Sequence, residues 1–199
     1  MKALKNLPIV LLLNLSLLFI SCISTPKNID LQVQKDLGKV FVTNTKSIYL
    51  LSPDFLSKPV DKLFLMTFES DSFKFSTPIY VYADKSGIYL TILNDFGIDM
   101  GSLNFSDGQI ELDSSIFPDK IKPVYLINEF QNAFYQQAAL SQNLKNSSLD
   151  LQILEEENCQ KRIIKSSKKL VEEIEISSSS VVITNHIRAY KITLLESDY

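Results

Sequence analysis

Few residues of this chain have the types that bond-breaking chemistry needs. Histidine, the usual general base near neutral pH and a frequent metal ligand, occurs once in 199 residues, at His186. It follows "SVVITN", a late strand pattern, and reads as a partly exposed histidine at a strand edge. Ser166 and Lys169 make an SxxK pair, but in a turn sequence and without the companion motifs of serine acyltransferases. Glu155, Glu156 and Glu157 are consecutive carboxylates with no apolar setting to raise a pKa, which describes a solvated turn. HExxH, CxxC, GxSxG and glycine-rich phosphate loops are absent. The expectation is a protein that is not an enzyme and uses neither cofactor nor metal.

Cysteine chemistry points elsewhere. "LPIVLLLNLSLLFISC" follows Lys2 and Lys5 and carries a 14-residue apolar run, Leu7 to Ile20. A bilayer-spanning helix needs roughly 20 residues, whereas a basic start, a short apolar run and a small residue before a cut make a secretory signal. Ser21 directly before Cys22 resembles a lipobox, the processing motif of bacterial lipoproteins, although Phe19 and Ile20 stand where Leu and a small residue are preferred. The resemblance implies cleavage after residue 21 and acylation of Cys22. Two or three acyl chains, at about 0.8 kcal/mol per buried methylene, would hold the protein on a membrane. Ile23 is not the Asp that marks inner-membrane retention in enteric bacteria, so the expected location is the cell envelope, lipid-anchored at the outer membrane.

Loss of Lys2 and Lys5 from 20 basic residues leaves 18 against 23 acidic ones. That balance argues against nucleic acid, whose phosphates need clustered Lys and Arg. With Cys22 acylated, Cys159 has no disulfide partner. The basic run "KRIIKSSKK" is diluted at once by Glu172, Glu173 and Glu175 and reads as a solvated hairpin.

The elements around these residues are mostly strands. Residues 22–36 are polar and aperiodic, a tether, and residues 37–199 form one domain. "FKFSTPIYVYAD", "SGIYLTILND" and "GQIELD" alternate with period two. Gly87, Gly97, Gly101 and Gly108 punctuate them as turns of an antiparallel meander. After Pro123, Leu126, Ile127, Phe130, Ala133, Phe134 and Ala138 recur every three or four residues, which predicts an amphipathic helix. Gln136 to Leu144 continues it or forms a second one. "CQKRIIKSSKKLVEEIEI" then reads as a hairpin across Ser166–Ser167, and "SSSSVVITN" and "IRAYKITLLES" as two closing strands. The fold class is α+β, a curved antiparallel sheet with a helix packed on it.

Tyr80, Tyr82 and Tyr89 alternate with Ile79, Val81 and Ile88, so these strands are apolar on both faces. Either the helix and the curvature cover both, or a hydrophobic cavity between sheet and helix takes a ligand. An acyl chain of about sixteen carbons would release on the order of 10 kcal/mol on burial, before entropic costs.

"IYVYADKSGIYLTILNDFGIDMGSLNFSDGQIEL", followed by the Val124 to Gln137 helix, resembles the central meander of the LolA/LolB superfamily of lipoprotein carriers. "LINEFQNAFYQQAAL", "QKRIIKSSKKLVEEIEI" and "NHIRAYKITLLES" are similar to patterns in an uncharacterised group of LolB-like outer-membrane lipoproteins. The resemblance covers nearly all of the mature chain, in hydrophobic patterns rather than catalytic signatures. It implies an unclosed half-barrel with helices across its concave face, whose hollow holds acyl chains in transit. No single segment marks the exposed apolar loop with which LolB-type chains meet the membrane, and their tryptophans are missing.

Function is therefore expected to be acyl or lipid binding by an envelope lipoprotein, for lipoprotein or lipid transfer to the outer membrane. The candidate lining is Phe73, Phe75, Tyr80, Tyr82, Ile88, Leu90, Ile92, Phe130 and Phe134, about half of it plain core. The expected partners are acyl or lipoprotein cargo, the membrane through the anchor, and an envelope protein. The alternative is an anchored, non-enzymatic subunit of an envelope assembly.

Overall fold

The computed structural model describes residues 38–114 and 122–197. The signal, Cys22 and the tether lie outside the described residues. Alternation sets the strands. In β3 (Val60–Ser70), Val60, Phe64, Met66 and Phe68 are buried; in β4 (Phe73–Ala83), Thr77, Ile79, Val81 and Ala83 are. Register pairs Phe64 with Ile79 and Met66 with Thr77, which puts both sets on one face.

β5 (Gly87–Leu93), β6 (Asp99–Ser106) and β7 (Gln109–Ser114) extend the meander. The β6–β7 turn is Asp107–Gly108, both with positive φ (49° and 76°), as a two-residue hairpin turn of matching twist requires. Gly87 is needed for a different reason: a Cβ there would lie 2.7 Å from the Phe105 carbonyl oxygen. β8 (Asp150–Glu155), β9 (Cys159–Ser166), β10 (Lys169–Ser177), β11 (Ser180–Asn185) and β12 (Tyr190–Glu196) form a second meander.

β12 pairs antiparallel with β3 and fuses the two meanders into one ten-stranded sheet, ordered β7-β6-β5-β4-β3-β12-β11-β10-β9-β8. The sheet is curved and not closed, an α+β half-barrel with β7 and β8 as its two edges. These edge strands are consecutive in sequence, so the chain between them must cross the sheet. It does so as two helices, α1 (Pro123–Phe134) and α2 (Gln137–Lys145). Pro123 supplies the preset φ that suits a first helical position. The helix expected from the apolar spacing breaks at Tyr135–Gln136, where both residues are extended. α1 contacts β7, β10 and β11, and α2 packs on β8.

A small hairpin, β1 (Lys39–Phe41) with β2 (Ser47–Tyr49), sits against the helices. The Gln131 side chain clamps Leu51 through both its backbone groups, each at 2.8 Å. Asn143 Nδ2 donates to Tyr49 O at 2.7 Å. α1 is thus held between this segment and the sheet.

Candidate functional site

Three successive zones line the concave face beneath α1, along the strands. Same-face residues are two apart, so Ser70–Phe68–Met66 on β3, Asn185–Ile183–Val181 on β11 and Tyr190–Ile192–Leu194 on β12 run through them in step.

The first zone is polar and closed. Glu129 and Asn132 of α1 meet Glu172 of β10, Asn185 of β11 and Tyr190 of β12. Asn185 Nδ2 donates to Glu129 Oε1 at 3.3 Å and to Glu172 Oε2 at 3.1 Å; Asn132 Nδ2 donates to Glu172 Oε1 at 2.8 Å. The Tyr190 hydroxyl donates to Glu129 Oε1. Both carboxyls are almost wholly buried, at 2% and 1% exposure. Burial raises both above the usual carboxylate range, and Glu172 rises further because Glu129 lies beside it. Each carboxyl disfavours ionisation of the other, so the two titrate as a coupled pair. Glu129 Oε2 is buried without a hydrogen-bond partner among the described residues. Burial and the two carboxyls likewise push the Tyr190 hydroxyl well up. Arg188, in the turn before β12, stacks over Tyr125 of α1 at 3.9 Å and donates to Phe41 O.

The second zone is apolar. Met66, Ile79, Val81, Leu90, Ile92, Leu103, Ile183, Ile192 and Leu194 of the sheet face Leu126 and Phe130 of α1 around a cavity of about 40 Å³, with Glu129 at its margin. That is room for a few water molecules, whereas ligand pockets run to about 300–1,000 Å³.

The third zone opens where α1 ends. A cavity of about 270 Å³ is lined by Val60, Phe64, Ala133, Phe134, Ile176 and Val181, and by Lys58, Lys62, Arg162 and the Ser177–Ser180 turn. Arg162 is 5% exposed. Its Nη1 donates to the carbonyls of Asn132 (2.8 Å) and Tyr135 (3.1 Å), orphaned at the helix end, and its Nε donates to Gln160. Burial pulls the guanidinium down to about 10, so it remains charged at neutral pH.

Of the expected lining, Leu90, Ile92 and Phe130 border the apolar cavity and Phe134 the larger one. Ile88 is fully buried core. Phe73 and Phe75 share the concave face but gather with Phe68 and Tyr190 at the β3–β4 hairpin end, ring centroids 5.2–6.3 Å apart. Tyr80 and Tyr82 need correction. They alternate with Ile79 and Val81, so they lie on the opposite, outer face, 38% and 39% exposed, with hydroxyls on Asp61 and Asp84.

The sequence reading missed the carboxyl pair, because Glu172 had been counted among charges diluting a basic run. It also missed Arg162. Alternation in "KRIIKSS" places Arg162 on the same face as buried Ile164 and carried the signal. His186 sits in a shallow surface recess with Ser70, yet its Nε2 lies 2.8 Å from Glu173 while the Ser70 hydroxyl donates to Phe73 O. No nucleophile–base pair is assembled there. Among the described residues no cluster has metal-ligand composition and no helix is long and apolar enough to cross a membrane.

A family model described as "Protein of unknown function (DUF3261)" matches residues 64–198, which span β3 from Phe64 onward, both helices and every later strand. No curated protein matches the chain.

Proposed function

The chain belongs to the DUF3261 family, and from that premise we propose that it is an envelope lipoprotein, anchored through Cys22, that binds an acyl chain in its half-barrel and passes lipid or lipoprotein to the outer membrane. One observation carries this reading. The aliphatic strip under α1 runs without a polar break from Ile192 through Leu194 and Ile183 to Val181 and Phe64, where it enters the 270 Å³ cavity. A single alkyl chain entering from that end would have to part the end of α1 from Arg162 and from the Phe55–Ser57 segment, whose backbone bonds Phe134 O and Gln136 N. Phe96 and Ile98 in the β5–β6 turn and Met100 at the start of β6, 88%, 59% and 44% exposed, supply an apolar contact for a membrane, as the resemblance to LolB-type chains implies.

A second reading, an anchored subunit of an envelope assembly, is favoured by the 40 Å³ size of the inner cavity, which side chains otherwise fill. The same exposed turn would then meet a protein.

The two separate by cross-linking. The full chain in lipid nanodiscs is irradiated with a diazirine-bearing palmitate and the adducts are mapped by mass spectrometry. Adducts on peptides carrying Met66, Phe130 or Val181 are expected. Adducts confined to Phe96–Met100, or none, would reject the carrier reading and leave the assembly subunit.

A further inference from the structure

The third zone is unusual in charge. The chain carries 23 acidic and 20 basic residues, yet this cavity is lined by Lys58, Lys62 and Arg162 against one carboxylate, Glu196. Glu196 is engaged with Lys62 at 2.5 Å. Arg162 has no carboxylate partner, and its Nη2 has no hydrogen-bond partner among the described residues. The end of α1 offers about half a negative charge, through carbonyls that occupy Nη1 alone. A guanidinium this deeply buried and this incompletely paired is costly unless an anion completes it. The opposite wall is apolar: Phe64, Phe134 and Val181 lead back into the strip beneath α1.

We propose that the ligand is an anionic amphiphile, with its alkyl chain under α1 and its phosphate or carboxylate head between Arg162, Lys58 and the Ser177–Ser180 turn. This rests on the acyl-binding reading above and names its head group. Arg162 supplies planar donors suited to an oxyanion. Lys58, on the exposed rim, adds a mobile charge, and the hydroxyls of Ser178 and Ser179, which line the cavity, are the available neutral donors. Ser177 is committed, its Oγ accepting from Ser180 N at 3.0 Å. A neutral or cationic head would leave Arg162 unpaired and forfeit its contribution.

The test uses the full chain in nanodiscs and the palmitate cross-link as readout, with dodecyl phosphate, dodecanoate, dodecanol and dodecylamine as competitors. The two anions are expected to compete about tenfold better than dodecanol, the scale of one charge-assisted hydrogen bond. Lys58→Glu should erase that advantage and leave dodecanol unchanged. Arg162 itself supports the helix end, so Lys58 is the cleaner variant. Inorganic phosphate at millimolar concentration should not compete; competition equal to dodecyl phosphate would mean a free-phosphate site and overturn the amphiphile. Equal competition by all four heads, unmoved by Lys58→Glu, would overturn the head-group assignment while leaving acyl binding intact. Failure to cross-link at all would remove the acyl reading, and this inference with it.

Discussion

The two ends of the concave strip use buried charge in opposite ways. At one end Glu129 and Glu172 are closed in by Asn132, Asn185 and Tyr190, which donate to three of their four oxygens. At the other, Arg162 spends one nitrogen on the end of α1 and lines an open cavity with the rest of its fork incomplete. The first arrangement bonds α1 to β10, β11 and β12, and its Asn185 and Tyr190 also border the shallow surface recess around His186. The second bonds only the last turn and leaves 270 Å³ beside it. The helix is fixed at the carboxyl pair, and its end is tied as well, through Ser57 N to Phe134 O at 3.1 Å, the Leu56–Tyr135 bridge and Gln136 N to Phe55 O at 2.8 Å. On the carrier reading proposed above, the cavity beside Arg162, rather than the small inner one, is the end at which a ligand would enter.

The largest effect should come from testing the two ends with the same truncation. Phe130 is 4% exposed and stacks on Phe134 at 4.5 Å, but Phe134 is half-buried at the cavity wall. Phe130→Ala should cost about 3–5 kcal/mol in chemical denaturation and Phe134→Ala about half of that, because water already reaches its site. Equal losses would mean that the outer turn of α1 is as firmly packed as its middle.

A smaller effect, on the order of 1–3 kcal/mol, should appear as pH dependence. Glu129 and Glu172 have pKa values raised from 4.5 in the folded state. Each binds its proton more tightly folded than unfolded, so this pair favours folding below about 4.5 and loses that contribution as pH climbs toward the raised values. Groups whose pKa is lowered, such as Asp84 and Glu69, act in the opposite sense and only on the acid side of their ordinary values. Besides the amides, the groups that act on the pair are Tyr190, whose hydroxyl is pushed well up and donates to Glu129, and Arg188, whose charge opposes the rise at Glu129. Glu172→Gln, which mimics the protonated acid, should flatten the stability profile above pH 4.5 as measured by urea midpoints. Parallel profiles for the two proteins would show that the pair does not hold its proton.

Much of the sheet was legible because its signal is local. Ile79, Val81 and Ala83 alternate, and Asp107–Gly108 can only be a tight turn, so the β4–β7 meander and its punctuation follow from short windows of sequence. The sites were harder to read because they are made by register between distant segments. Glu172 is 43 positions from Glu129, and only the β10–β11 pairing and the crossing of α1 bring them together. Arg162 belonged to a basic run by composition, yet its alternation with Ile164 already placed it on the inner face. Charge counting outweighed periodicity at that position, and periodicity was the better guide. The break at Tyr135 was hidden for a related reason. Phe134, Tyr135 and Ala138 keep helical spacing, but Tyr135 is held extended by its bridge to Leu56, far away in sequence.

The smallest effect expected is at Tyr80 and Tyr82, and it bears on the comparison because it asks whether the outer face takes part at all. Their hydroxyls reach Asp61 at 2.6 Å and Asp84 at 2.9 Å, and Tyr82 packs on Tyr89 across the strands at 6.2 Å. These are exposed cross-strand contacts, worth a few tenths of a kcal/mol up to about 1. Tyr80→Ser with Tyr82→Ser should therefore lower stability by no more than about 1 kcal/mol and leave palmitate cross-linking unchanged. Leu90→Ser, one strand away but on the concave face opposite Val81, should reduce that cross-linking severalfold. A loss of cross-linking in the tyrosine variant would place the acyl chain on the outer surface. The asymmetry between the two ends of α1 would then have no bearing on how the ligand enters.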